Sequence, residues 1–353
     1  MLKVLVLWGL LAQQLLPNPG PLPPPLVNVK REMPAIVKAI YATSSTAHTA
    51  RIEDLKKLIA GTELNAIVIN TKEPSGPKLD EHIRDVVQAF HNQGVWVIGR
   101  QVMFQDDNLA ALKPELALKR ASGQLWHDSG GRVWVDPSSQ RVWNYNLEVA
   151  KQTLALGFDE INLDYVRFPT DGDVKAIRYP AWDGKTSKED VLANFASWFH
   201  RELRAAYPNV VLSADVFGYS FLKDNDVGMG QRLAKLAPNL DVVAPMVYPS
   251  HYSTGNFGFA NPAQHPYEVV RQTLERGKPL LTGAPHTLVR PWLQDFNLGA
   301  TYTAELVRAQ MKAINDAGYT AGWMLWNPHN VYTAGALLPK TRPAAAPGNV
   351  TTP

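Results

Sequence analysis

Between Ile36 and Trp326 the hydrophobic pattern switches repeatedly between period two and period 3.6. Strands are predicted at Ile36–Thr43, Ala66–Thr71, Val95–Val102, Glu160–Asp164, Val210–Val216, Asp241–Val247, Pro279–Gly283 and Ala321–Trp326. Helices are predicted between them at Arg51–Ile59, Asp80–Asn92, Gln140–Leu156, Lys188–Ala206, Met229–Leu236, Tyr267–Arg276 and Thr303–Ala317. Gly94, Gly157, Gly277 and Gly318 stand where a left-handed helix C-cap is wanted. Strands that alternate with helices pair in parallel, because each crossover needs a long connection. An open doubly wound sheet carries a glycine-rich phosphate loop after its first strand, and none is present here. The expected fold is therefore α/β, a single closed (β/α)8 TIM barrel.

The chain has 353 residues, 45% hydrophobic and 19% charged, enough for one barrel with tails. A net charge of +3 without a Lys/Arg run gives no reason to expect a nucleic-acid partner. The absence of cysteine excludes disulfides, thiol catalysis and Cys-ligated zinc, and leaves the compartment open. Lys3 ahead of the apolar run Val4–Ala12 reads as a signal peptide or membrane anchor over residues 1–16. Residues 17–32 form a proline-rich linker, 33–340 the barrel, and 341–353 a flexible tail containing the acceptor pattern Asn349-Val350-Thr351. The expectation is an extracytoplasmic monomer (secreted, periplasmic or envelope-anchored) that meets a membrane only through an uncleaved N-terminal segment.

Catalytic groups of such barrels sit at the carboxyl ends of the strands. Asp164 ends the run Glu160–Asp164, and Asp215 follows Val210–Ala214 in the same way one repeat later. Two acids on neighbouring strand ends are the minimum equipment for cleaving a glycosidic bond. Other strand ends bring Lys72 and Glu73, Asp106, Tyr248 and His251, Trp292, Gln294 and Asp295, and Trp326 with Asn327 toward the same rim. Arg100 and Arg167 lie on or beside these strands. Carboxylates, flat rings and amides together suit a sugar substrate. The connection Asp106–Ser139 carries Trp126 and Trp134 around Asp128-Ser129-Gly130-Gly131 and is expected to form a flap overhanging the cup. No His-x-x-x-His or Glu-x-x-His spacing occurs, so neither metal nor other cofactor is expected.

The runs Asp159–Pro169, Ser213–Tyr219, Pro245–Tyr252 and Arg290–Phe296 resemble the glycoside hydrolases of the bacterial family DUF4015, a distant relative of the α-amylase superfamily. The similarity spans roughly Lys38 to Asn327 and implies a barrel acting on a polysaccharide. The α-amylase pattern then implies a nucleophile at Asp164, an acid/base at Asp215 and a supporting acid at Asp295. Two positions depart from it: Asn162 stands where that pattern has Arg, and Asp215 where it has Glu. The chitinase strand-four motif aligns in part with Asp159, Asn162 and Asp164, but its catalytic Glu would fall at Val166. The leading expectation is an exported, retaining glycoside hydrolase. The rival is a non-catalytic glycan-binding barrel of the cell envelope.

Overall fold

The computed structural model describes residues 31–340. The expected signal segment 1–16, most of the proline-rich linker and the tail 341–353 with Asn349 lie outside the described residues. The barrel strands are β1 Val37–Ala42, β2 Ala66–Glu73, β3 Trp96–Val102, β4 Glu160–Asp164, β5 Val211–Phe217 and β6 Val242–Met246. A two-part β7, Leu288–Val289 and Trp292–Gln294, and β8 Gly322–Trp326 complete the set. Every neighbouring pair is parallel, and β1 pairs with both β2 and β8, so the sheet closes.

The long helices are α1 Arg51–Gly61, α2 Glu81–His91, α3 Gln140–Ala155, α4 Lys188–Ala206, α5 Pro266–Gly277 and α6 Ala304–Asp316. Local sequence explains their limits. Asp80 caps α2 by accepting from the Ile83 N–H at 2.9 Å. The same helix then buries Ile83, Val86, Val87 and Phe90, a stripe of helical spacing against the sheet. β3 is buried at all seven positions, as expected for a strand covered on both faces.

Two cores result. The larger lies between sheet and helices. The smaller fills the barrel with Val37, Ala39, Ala66, Val68, Ile98 and Met324, among others. The interior of β4, β5 and β7 is polar instead. Arg290 and Glu160 form a buried ion pair. Ser213 donates to Glu160 at 2.6 Å, and Asn162 donates to Ser213 at 3.1 Å and to Asp215 at 2.9 Å. A hydrogen-bonded column thus climbs the barrel from its amino end to the carboxyl rim. Both ends of the described chain lie at the amino rim. Arg31 comes within 3.9 Å of Asp159 at the foot of β4. Leu338 O accepts from the Glu63 N–H and the Lys340 N–H donates to Gly61 O, at the carboxyl end of α1.

Three expectations are corrected. Pro279–Gly283 is not a strand, since Lys278–Leu281 forms a 3-10 turn. The seventh strand lies further on and is split at Arg290–Pro291, where proline has no N–H for the ladder. The helix expected over Met229–Leu236 shrinks to Leu233–Leu236, because Gly230 takes φ +93. Gly277 is not a left-handed cap, since its φ is −76. It is small because a Cβ there would lie 2.0 Å from the Phe221 ring.

Candidate active site

Asp164 closes β4 at the carboxyl rim. One of its oxygens pairs with Arg100 Nη2, and the other accepts the Tyr165 N–H at 2.6 Å. Tyr165 holds φ +54, a left-handed conformation that costs a bulky residue of order 1 kcal/mol or more. That bend lets the chain turn back over its own carboxylate.

Asp215, on β5, is 2% exposed. Its Oδ1 accepts from Asn162 Nδ2 at 2.9 Å and Trp292 Nε1 at 2.7 Å. Its Oδ2 takes no hydrogen bond and lies 3.8 Å from Arg100 Nε. Burial and the neighbouring Asp164 charge push its pKa up to about 8, against the pull of Arg100, Asn162 and Trp292. Asp215 is therefore a neutral acid at pH 7.

Arg100 joins the two acids. It also donates to Asn70 Oδ1 at 2.8 Å, and its guanidinium lies 5.7 Å from the Tyr41 ring and 5.2 Å from the Trp326 ring. Burial lowers its pKa, but Asp164, Tyr41 and Asp215 outweigh burial and raise it overall. Arg100 is the β3 neighbour of Asn162 in the ladder. Arg100 thus reaches Asp164 from the neighbouring strand, and Asn162 turns to Asp215.

Around these groups lies a cavity of about 490 Å³ lined also by Arg167, Tyr248, His251, Trp292 and Trp326. A second, more polar lobe of about 610 Å³ shares Arg100, Tyr165, Arg167 and Phe217 with it. Tyr41 stacks on Trp326 at 4.1 Å and steadies that wall. Burial holds His251 below its ordinary pKa.

Several expected site residues do not reach the cavity. Lys72 is wholly buried and ion-paired to Asp106 at 2.7 Å. The register slips between Asn70 and Lys72, so Lys72 pairs with Gln101, which faces α3. Asp106 caps the next helix by accepting from Leu109 N at 2.7 Å. Glu73 holds Ser44 at 2.7 Å and Asn70 at 3.0 Å. Asp295 spends both oxygens on Thr333, accepting from its N–H at 2.9 Å and its hydroxyl at 2.6 Å. Gln294 accepts from Ser250 N at 3.1 Å, and Asn327 accepts from His329 N at 2.8 Å, both fastening loops.

Trp126 and Trp134 are fully buried and line neither lobe of the cleft, although the Trp134 ring backs Arg167 and Tyr165, which line both. Their indole N–H groups donate to Asp173 O at 2.8 Å and Asp128 Oδ2 at 2.9 Å. Tyr165, Phe217, Tyr219 and Gln231 line the cavity without having been singled out. The signal for Phe217 and Tyr219 was their place directly after Asp215, on the same strand exit.

The family DUF4015, described as "Putative glycosyl hydrolase domain", matches residues 77–332. A hypothetical protein from Ruminiclostridium thermocellum ATCC 27405 has a solved structure 32% identical to this chain. That alignment covers 50% of this chain and 97% of the other, with a TM-score of 0.45. The PgaB (BpsB) glycoside hydrolase domain from Bordetella bronchiseptica aligns over 84% of this chain and 95% of its own, with a TM-score of 0.61 and 13% identity. An α-amylase from Lactobacillus plantarum aligns over 84% and 71%, with a TM-score of 0.51 and 13% identity. At such identities the latter two are likenesses of fold. No curated protein matches the sequence.

Proposed function

This chain belongs to the DUF4015 family, and on that premise we propose that it hydrolyses a polysaccharide or cell-envelope glycan through two carboxylates. The observation that carries this reading is two acids on neighbouring strand ends about one guanidinium, Asp164 paired with Arg100 and Asp215 buried against Asn162 and Trp292. Burial and the Asp164 charge raise the Asp215 pKa, which suits a proton donor. Asp215 gives its proton to the leaving glycosidic oxygen as the C–O bond breaks. Asp164 bonds to the anomeric carbon, and water then releases the sugar with Asp215 taking back a proton. Retention is proposed from the α-amylase pattern, in which acids at these two strand ends serve as nucleophile and acid/base. The Asp164–Asp215 carboxyl separation, about 5–5.5 Å in retaining and roughly 6.5–9.5 Å in inverting enzymes, is its first check. Arg167, Tyr248, His251, Trp292 and Trp326 would hold the sugar.

An extracytoplasmic site of action is proposed from Lys3 and Val4–Ala12. Among the described residues no helix is long and apolar enough to cross a membrane.

The 2% exposure of Asp215 favours the rival reading, a barrel that only binds glycan, because a sealed acid could not reach its substrate. Reducing-end release from a polysaccharide panel, with Asp164→Asn as control and product anomer read by NMR, decides between them. Glycan bound equally by both proteins and cleaved by neither would leave only the binding barrel.

A further inference from the structure

Two guanidiniums stand at the waist where the two lobes of the cleft meet, and they are employed differently. Arg100 donates to Asn70 and Asp164, and its Nε faces Asp215 Oδ2 at 3.8 Å, so carboxylates compensate its charge. Arg167 is 9% exposed, yet among the described residues no carboxylate oxygen comes within 4.0 Å of it. Its Nη1 makes only long bonds, 3.3 Å to Phe168 O and 3.5 Å to Thr170 Oγ1. Its Nε and Nη2 have no protein partner and are not sealed from solvent.

A buried cation without a counter-charge is costly and needs a reason. Burial lowers the Arg167 pKa, as expected for a charge short of compensation. The nearby acids are already engaged or remote. Asp164 is held by Arg100 and Tyr165. Asp128 accepts from Gly130, Arg132, Gln105 and Trp134, and Asp171 is exposed.

Rings fix the side chain in place. The guanidinium carbon lies 4.7 Å from the Trp134 ring centroid, 5.3 Å from Tyr165 and 5.4 Å from Phe217. Stacked faces leave the in-plane N–H edge free, and that edge matches an oxyanion two atoms wide. Hydroxyls of a neutral sugar would take hydrogen bonds there but leave the charge uncompensated.

We propose that Arg167 is an anion-reading subsite and that the glycan carries an acidic sugar, a uronic-acid carboxylate or equivalent oxyanion, at the waist of the cleft. This rests on the glycan reading above but not on turnover. Binding is measured by calorimetry in protein carrying Asp164→Asn, which separates it from hydrolysis. The probes are oligomers of galacturonate, glucuronate, mannuronate and guluronate, each compared with its carboxyl-reduced form, and a sulfated neutral oligosaccharide.

At least one uronate should bind about 30-fold more tightly than its reduced form, the scale of hydrogen bonds to a charged group. That ratio should fall to about one in Arg167→Gln and be kept in part by Arg167→Lys, which retains charge without the fork. Preference for the sulfated probe would assign the oxyanion to sulfate. Equal binding of acidic and reduced probes, no binding of any, or a ratio unmoved by Arg167→Gln would overturn the proposal. Hydrolysis of neutral glycans without acid preference would leave the hydrolase standing and remove this subsite. Acid preference without cleavage would do the reverse.

Discussion

Replacing Asp215 by Asn should cost most of the activity and yet stabilise the protein, increasingly so as pH rises. Burial and the Asp164 charge push this carboxyl up to about 8 in the folded state, against 3.8 for a free aspartate side chain. Between those values the folded state holds a proton that the unfolded state has released. Stability from this group is therefore fully present below pH 3.8 and lost as pH climbs through 8. The slope is about 1.4 kcal/mol per pH unit, so wild type loses about 3 kcal/mol from pH 5 to pH 7 through this residue.

Asn keeps an oxygen for Asn162 and Trp292 but cannot ionise. For a barrel of this size the unfolding entropy is about 0.65 kcal/mol/K, so 3 kcal/mol is worth about 5 °C. Differential scanning calorimetry of both proteins should show the variant's Tm advantage widening by about 5 °C over that interval. Loss of the proton donor should cost about a thousandfold in kcat/KM. A Tm difference flat with pH, or a variant less stable at pH 7, would refute the raised pKa and the acid role together.

Trp292→Phe removes an N–H that stabilises the ionised form of Asp215, so the alkaline limb of the pH–rate profile should move up by about one unit. A limb that stays put or moves down would show that this bond does not tune the acid. Gly277→Ala should cost about 1–2 kcal/mol in urea denaturation despite alanine's better helix propensity, because its Cβ meets Phe221 at 2.0 Å. Phe221→Leu in the same protein should recover part of that loss, and a more stable Gly277→Ala would contradict the packing.

The strand and helix periods made most of the barrel legible, since buried parallel strands leave uninterrupted apolar runs. The seventh strand misled because Pro279-Leu280-Leu281-Thr282-Gly283 is apolar enough to look like one, whereas the true strand is broken by Pro291. Asp164 and Asp215 could be picked out because each is an acid at or near the carboxyl end of such a run. Lys72 could not be placed correctly, because a slip of one residue at Thr71 reverses which face it takes and no pattern announces it. Asp295 stands at a strand end like the other two acids, and only its two bonds to Thr333 reveal its different employment. Arg100 was legible as a site residue but not as the link between acids, which depends on strand register.

Both ends of the described chain leave the barrel at its amino rim, while the cleft opens at the carboxyl rim. Mouth and attachment points are thus at opposite poles. Whatever is joined to the protein there, whether a bead, a fused partner or a surface, stands behind the barrel and leaves the cleft facing outward. A long polymer could then be engaged at the carboxyl rim without meeting Arg31 or Lys340 at the opposite pole.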